Sequence, residues 1–464
     1  MNRISPLTRY ATVAIAVAVV GFLVVAALIL PVQRPAAADR VSTEGQANLL
    51  CPALPTDRAE STVALAAPDA AVPGDLSARR ISETQADPVP AGALVHRPGN
   101  ESPVQVRADG ARSAEFGAAV LARSRTALDR GLSVSRCLTP STEAWFAGVY
   151  SSENARSEIE LINPDSAQAT VDLQFFGADG ERAAPGGRGI TVDAKSSRVV
   201  AVESLFTSDT PTSVHLTTSI GRVAAVVRQR TSDRTAATGT DWLAPATLPR
   251  TSQVIPAVPG GTGERELVVA NPGERRTTAR VEIITADGTV APADADQLDV
   301  NARSTATIRL DAGLKEAAAA VRITTDQPVI ASVRAVSADD VAFTAAADPL
   351  QGRAVAAIGT ADGVAGTLQL SNTADTTAVV PVTAFDESGE VGRADVEVPA
   401  HGTATWSIPG TGSAVLVDAG QLTGLYGGVV LRSTNGPGLA STGLTVPAGA
   451  SGASAPQHDP GVAR

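Results

Sequence analysis

The sequence predicts an all-β protein, with tandem immunoglobulin-like or fibronectin-like β-sandwich repeats following an N-terminal transmembrane helix. Three observations carry this expectation. Residues 10–33 hold no charge. Segments of about 100 residues then recur three times with shared strand and turn motifs, the length of one such sandwich. Within each segment apolar and polar residues alternate with a period of two, as in a sheet with one solvated face.

The apolar run extends from Tyr10 to Leu30 and meets Pro31. At 1.5 Å per residue, about 20 residues cross a bilayer core, and backbone groups without water there require a helix. Arg3 and Arg9 precede the run and keep residues 1–9 cytoplasmic, so the bulk of the chain is expected outside the membrane. The run is long for a signal peptide and is read as an uncleaved signal anchor. Cleavage near Ala36-Ala37-Ala38 is the alternative. The expected location is a single-pass cell-membrane protein with an extracytoplasmic C-terminal bulk.

Residues 34–140 form the N-terminal extracytoplasmic region and contain both cysteines, Cys51 and Cys137. Neither lies in a CxxC or metal-like cluster, so outside the membrane they are expected to form one disulfide; two free thiols are the alternative. Within this region, residues 113–130 suggest one short helix.

Three repeats follow, at 141–243, 244–350 and 351–432. Their reference points are Asn163-Pro164, Asn271-Pro272 and Asn372-Thr373, separated by 108 and 101 residues. Asn closes a turn with its side chain and Pro sets φ. After the first turn, Val171, Leu173 and Phe175 alternate with Asp172 and Gln174, and Asp179-Gly180 makes the next tight turn. The later halves also match: Ile190-Thr-Val-Asp-Ala-Lys-Ser-Ser, Leu298-Asp-Val-Asn-Ala-Arg-Ser-Thr and Val396-Glu-Val-Pro-Ala-His-Gly-Thr. A β-propeller, two blades per repeat, is the alternative architecture. Residues 433–464 are a Gly/Ser/Ala/Pro-rich tail with one potential last strand at Gly443–Pro447.

The net charge of −11 and the absence of basic clusters argue against nucleic-acid binding, which needs cations to neutralise phosphate. No metal, cofactor or catalytic set is expected. His96, His215, His401 and His458 are scattered, where a zinc or copper site needs converging ligands. No Gly-x-Ser-x-Gly elbow is present, and only Lys195 and Lys315 are available as lysines. The acid pairs Asp339-Asp340 and Asp294 with Asp296 are placed in loops, with neither a hydrolase cleft nor a calcium loop assigned to them. Aromatics make up only 3% of the chain, which singles out Trp145, Phe146, Trp242 and Trp406 as core anchors or as contacts for a partner or glycan.

Arg136-Cys137, Trp145-Phe146-Ala147-Gly148, Cys51-Pro52 and the Asn-Pro turns, taken with the N-terminal apolar segment, resemble an uncharacterised family of actinobacterial membrane-anchored envelope proteins. The third repeat departs from the pattern at Thr373. The resemblance covers the outer region and supplies no catalytic residues. Genes of that family lie near a large membrane glycosyltransferase, which implies envelope association and such an enzyme as a partner. The expected function is a non-enzymatic envelope scaffold contacting an envelope protein or cell-wall glycan. The alternative is an accessory or sugar-binding component of cell-wall polysaccharide assembly.

Overall fold

A computed structural model describes residues 45–53, 59–90, 94–98, 102–125, 130–233, 236–337, 340–359 and 361–444. The apolar run 10–33, residues 445–464, His458 and Asp339 lie outside the described residues. Among those described, no helix is long and apolar enough to cross a membrane.

The chain is built from antiparallel sheets, as its alternation predicts. In the strand Ala169–Gly177, Val171, Leu173 and Phe175 are buried while Asp172 and Gln174 are only half-buried. The strands Gly180–Arg182, Ala169–Gly177, Ser208–Ile220 and Glu143–Ser151 lie side by side in that order. The facing sheet runs Ser196–Ala201, Ala155–Asn163, Ala224–Asp233 and Ala236–Leu243. Both inner faces feed one core containing Phe146, Ile159, Leu161, Leu173 and Val214. Burying such side chains stabilises by roughly 1.5–3 kcal/mol each.

The same strand order recurs around three further cores. In the third sandwich, one 18-residue strand, Ala319–Val336, serves both sheets. The first sandwich lies wholly within the N-terminal region: its sheets run from Gln46–Cys51 to Asp87–Val89 and from Leu94–Pro98 to Arg130–Arg136. The short helix expected over 113–130 does not form. Gly110–Ala114 is a 3₁₀ turn and Gly117–Arg125 is a central strand between Ala59–Ala66 and Arg130–Arg136. Alanine-rich propensity loses here to two flanking ladders. The propeller alternative is not met either. Propeller blades meander through consecutive strands, whereas here consecutive strands cross between two facing sheets.

The Asn residues of the repeat are buried staples. Asn163 Nδ2 donates to the carbonyls of Ala167, Val192 and Asp193 at 2.8–3.0 Å, and its Oδ1 accepts from the Asp165 amide at 3.0 Å. Asn271 repeats this with Arg275, Val300, Asn301 and Gly273, and Asn372 with Thr376, Val398 and Ala374. Each ties the end of one strand to its own turn and to one distant segment, a role that needs the Asn side chain and not the following Pro.

Four seams join the sandwiches head to tail. Ile162, Ala224, Val226 and Trp242 of the second sandwich enter the core of the first. Trp145, Ala147 and Phe176 of the second meet Val268, Ala270 and Ile330 of the third. Val254, Ile284 and Ala320 of the third meet Tyr426 of the fourth. Val355, Ala357, Ala414 and Leu416 of the fourth meet Ala64, Ala66 and Ala119 of the first. The four sandwiches therefore close into a ring.

Candidate functional site

The last strands of the four sandwiches, Arg130–Arg136, Ala236–Leu243, Val341–Ala345 and Leu439–Gly443, line the ring's axis. The carboxylate of Asp340 sits between them. Its Oδ2 accepts from the amides of Leu132 and Leu439, both at 2.8 Å. Its Oδ1 accepts from those of Thr240 at 3.3 Å and Val341 at 2.9 Å. One side chain thus bonds to all four sandwiches. The residues preceding these amides are Gly131, Gly239, Asp340 and Gly438. A Cβ on Gly131 would lie 2.4 Å from Asp340 Oδ1, and one on Gly239 2.9 Å from the same atom. These two glycines leave the space that one aspartate fills.

One layer along the axis, Asp241 accepts from the amides of Val134 at 3.0 Å and Phe343 at 3.2 Å. Burial holds Asp241 well above the usual carboxylate range, against the pull of the Trp242, Val134 and Phe343 amides. Burial also raises Asp340, to about 7, while its four amide donors oppose the rise. Farther along, a pocket of about 20 Å³ is lined by Arg136, Trp242, Phe343 and Ser441, room for about one water. Burial lowers Arg136 to about 10, and its guanidinium donates to the Pro245 carbonyl at 3.3 Å. These acids and this arginine are used to join strands.

Two further ties lie at the first seam, one within the first sandwich and one across to the second. Cys51, at the end of the first strand of the first sandwich, forms a disulfide with Cys137, just past the end of its last strand. Beside it, Glu160 of the second sandwich accepts from the Ala53 amide through both oxygens, at 3.2 and 3.1 Å, and burial raises it to about 7.

The aromatic residues singled out by scarcity are mostly interior. Trp145 stacks on His215 with ring centroids 3.8 Å apart, and Glu143 Oε1 accepts from both the indole and the imidazole at 2.9 Å. Burial lowers His215, and its hydrogen bond to Glu143 opposes that. Phe146 is fully buried in the second core, Trp242 is 3% exposed at the first seam, and Trp406 is half-buried against the fourth core. His401 sits in a left-handed turn and bonds Asp375 at 2.7 Å. Among the described residues no group of three His, Cys, Asp or Glu is placed to hold a metal.

An opening lies at the fourth seam. A groove of about 410 Å³ runs between the Pro68-Asp69 turn of the first sandwich and the outer face of the fourth. Pro381, Phe385 and Leu416 form its apolar part. Arg353 bridges Asp69 at 3.0 Å and Glu115 at 2.7 Å, and Arg393 pairs with Glu390 at 2.7 Å. Burial raises Glu115, opposed by Arg353, and Glu115 Oε1 has no hydrogen-bond partner among the described residues. The alternation of strands Ala378–Asp386 and Ala414–Gly420 is legible in the sequence. That their outer faces meet Asp69 across some 300 residues of chain is not.

These features define a disulfide-stapled ring of four β-sandwiches with a polar groove at one seam. The chain belongs to a family of unknown function, DUF5719, whose profile matches residues 82–409. The resemblance to an uncharacterised family is thereby borne out. No curated protein matches the chain. Among solved structures, Thermotoga maritima 1070 is similar at 13% identity over 21% of this chain and 94% of that one, with a TM-score of 0.19. The BSP domain of a biofilm-associated protein is similar at 10% identity over 88% of this chain and 94% of that one, with a TM-score of 0.14.

Proposed function

We propose that this chain is a non-enzymatic interaction protein of the cell envelope, held at the membrane by residues 10–33 with its ring outside. The observation that supports this best is the Cys51–Cys137 disulfide, because such bridges persist in oxidising compartments. The deeply buried acids Asp340, Asp241 and Glu160 are engaged by backbone amides, a structural use of groups that a hydrolase would direct at substrate. Its partners in this reading are an envelope protein or a cell-wall glycan, with a membrane glycosyltransferase as the enzyme it serves.

The test is crosslinking in intact cells with identification of the captured proteins, combined with accessibility of an introduced Ser451→Cys to a membrane-impermeant thiol reagent. Labelling from outside and capture of envelope proteins support the reading. A protected thiol overturns it. A second reading, a sugar-binding accessory of wall-polymer assembly, is favoured by the groove at the fourth seam.

A further inference from the structure

The four seams are built alike, so their differences are informative. The cross-strand row at each seam carries a mutually bonded pair of large side chains in three of the four sandwiches. In the first, Arg79 donates across the row to Gln105 at 2.7 and 2.9 Å, Leu50 stands on the other side of Gln105, and Gln105 donates diagonally to Asn48 at 3.1 Å. In the second, Gln174 and His215 are paired across strands, and His215 stacks on Trp145. In the third, Arg322 pairs with Glu282 at 2.8 Å. In the fourth, the corresponding row is Thr383, Leu416 and Val355. Val355, like Val254 of the third sandwich, stands where the second has Trp145, and Leu416 stands where the second has His215.

A second plug is also specific to particular seams. Thr305 donates to the Phe176 carbonyl at 2.6 Å across the second seam, and Thr403 to the Ile284 carbonyl at 2.7 Å across the third. At the fourth seam, the matching strand end, Phe385, faces the groove. Of this row Thr383 and Leu416 line the groove, where no bonded cross-strand pair covers the opening, and its volume of about 410 Å³ falls within the range of about 300–1,000 Å³ seen for small-molecule sites.

We infer that this groove binds a segment of a neutral saccharide chain. The inference rests on the sugar-binding reading above. The groove pairs an apolar floor at Phe385 and Leu416 with fixed donors and acceptors at its rim. Arg393 is held by Glu390, Arg353 by Asp69 and Glu115, and Asp418 by the Gly420 amide at 3.0 Å. A sugar ring offers the complement: C–H faces for the floor, and hydroxyls that each donate and accept. Arg353, paired twice and half-buried, loses less freedom on binding than an unpaired side chain would. The lining carries two arginines, Arg353 and Arg393, against three carboxylates, Asp69, Glu390 and Asp418, a sum of −1. A polyanion gains nothing from that balance, which selects an uncharged chain over an acidic one.

The test uses the full-length protein in detergent and saturation-transfer NMR. The probes are neutral pentose and hexose oligosaccharides, a uronic-acid oligosaccharide and a lysine-rich peptide. The wild type is expected to bind at least one neutral oligosaccharide. Arg393→Ala and Asp418→Asn should each weaken it tenfold or more, and Thr383→Trp, which refills the groove, should abolish it. All three should keep the wild-type melting temperature. A fourth variant, Val379→Ala on an exposed position outside the groove lining, should bind as the wild type does. The inference is overturned if no neutral oligosaccharide binds, if Thr383→Trp binds undiminished, or if only the acidic sugar or the peptide binds. The envelope placement is read separately by thiol labelling, so either conclusion can fail alone.

Discussion

Asp340 of the third sandwich and Leu132 of the first are joined by a 2.8 Å hydrogen bond from the Leu132 amide to the Asp340 carboxylate, across 208 residues of chain. The same carboxylate holds the other two sandwiches, so one side chain closes the ring. Asp340→Ala leaves four amides without their acceptor on the axis. Each buried unsatisfied donor costs about 1–3 kcal/mol, and the expected total loss is at least about 3 kcal/mol. Urea denaturation should show a clearly lowered midpoint, and an unchanged one would remove the axial role assigned to Asp340.

Gly239 is required by the same geometry. A Cβ there would sit 2.6 Å from the Val341 nitrogen as well as 2.9 Å from Asp340 Oδ1. Gly239→Ala is expected to destabilise by about 2 kcal/mol through overpacking. Gly410→Ala, where a Cβ meets nothing within 4 Å, is the control and should be close to neutral. Equal effects on thermal unfolding would contradict the close-approach argument.

The disulfide closes a loop with a sequence separation of 86 and ties the two sheets of the first sandwich together. Replacing both cysteines by serine should cost about 2–5 kcal/mol. Because the first sandwich also closes the ring at the fourth seam, limited proteolysis of the variant should cut first within residues 59–136. First cleavage elsewhere would show that the sandwich does not depend on the bridge.

Glu160 and Asp340 are both raised to about 7 in the folded chain, from ordinary values of 4.5 and 3.8. Between the ordinary and raised values the folded state holds more protons than the unfolded state, so stability falls as pH rises through this window. Asp69, Asp299 and Asp386 are shifted down, chiefly by hydrogen bonds, and add an opposing loss only under more acid conditions. The unfolding midpoint should therefore be higher at pH 5 than at pH 8. Glu160→Gln should flatten that slope. A midpoint that rises from pH 5 to pH 8 would reverse the sign assigned to these two acids.

Much of each sandwich was legible because its signals are local. The alternation at Val171, Leu173 and Phe175, the Asn163, Asn271 and Asn372 turns and the Asp-Gly turns all act within a few residues of themselves. Gly117–Arg125 was not legible, because its alanine-rich stretch favours a helix until two neighbouring strands supply the ladder. The candidate groove was not legible either. Thr383 and Leu416 look like ordinary strand residues, and only superposing their register on Gln174 and His215 shows that a bonded cross-strand pair is missing.

The sequence by itself determined the β class, the repeat length, the Asn staples and the one pair of cysteines available for a bridge, because backbone propensity and side-chain period are short-range properties. Tertiary structure alone decided that the N-terminal region carries a fourth sandwich of the same strand order and that the ring closes. It also decided that Asp340, one of two adjacent acids assigned to a loop, belongs at the centre. Those outcomes depend on which amides converge from strands hundreds of residues apart and on how much water each carboxylate loses there, and no local pattern encodes either.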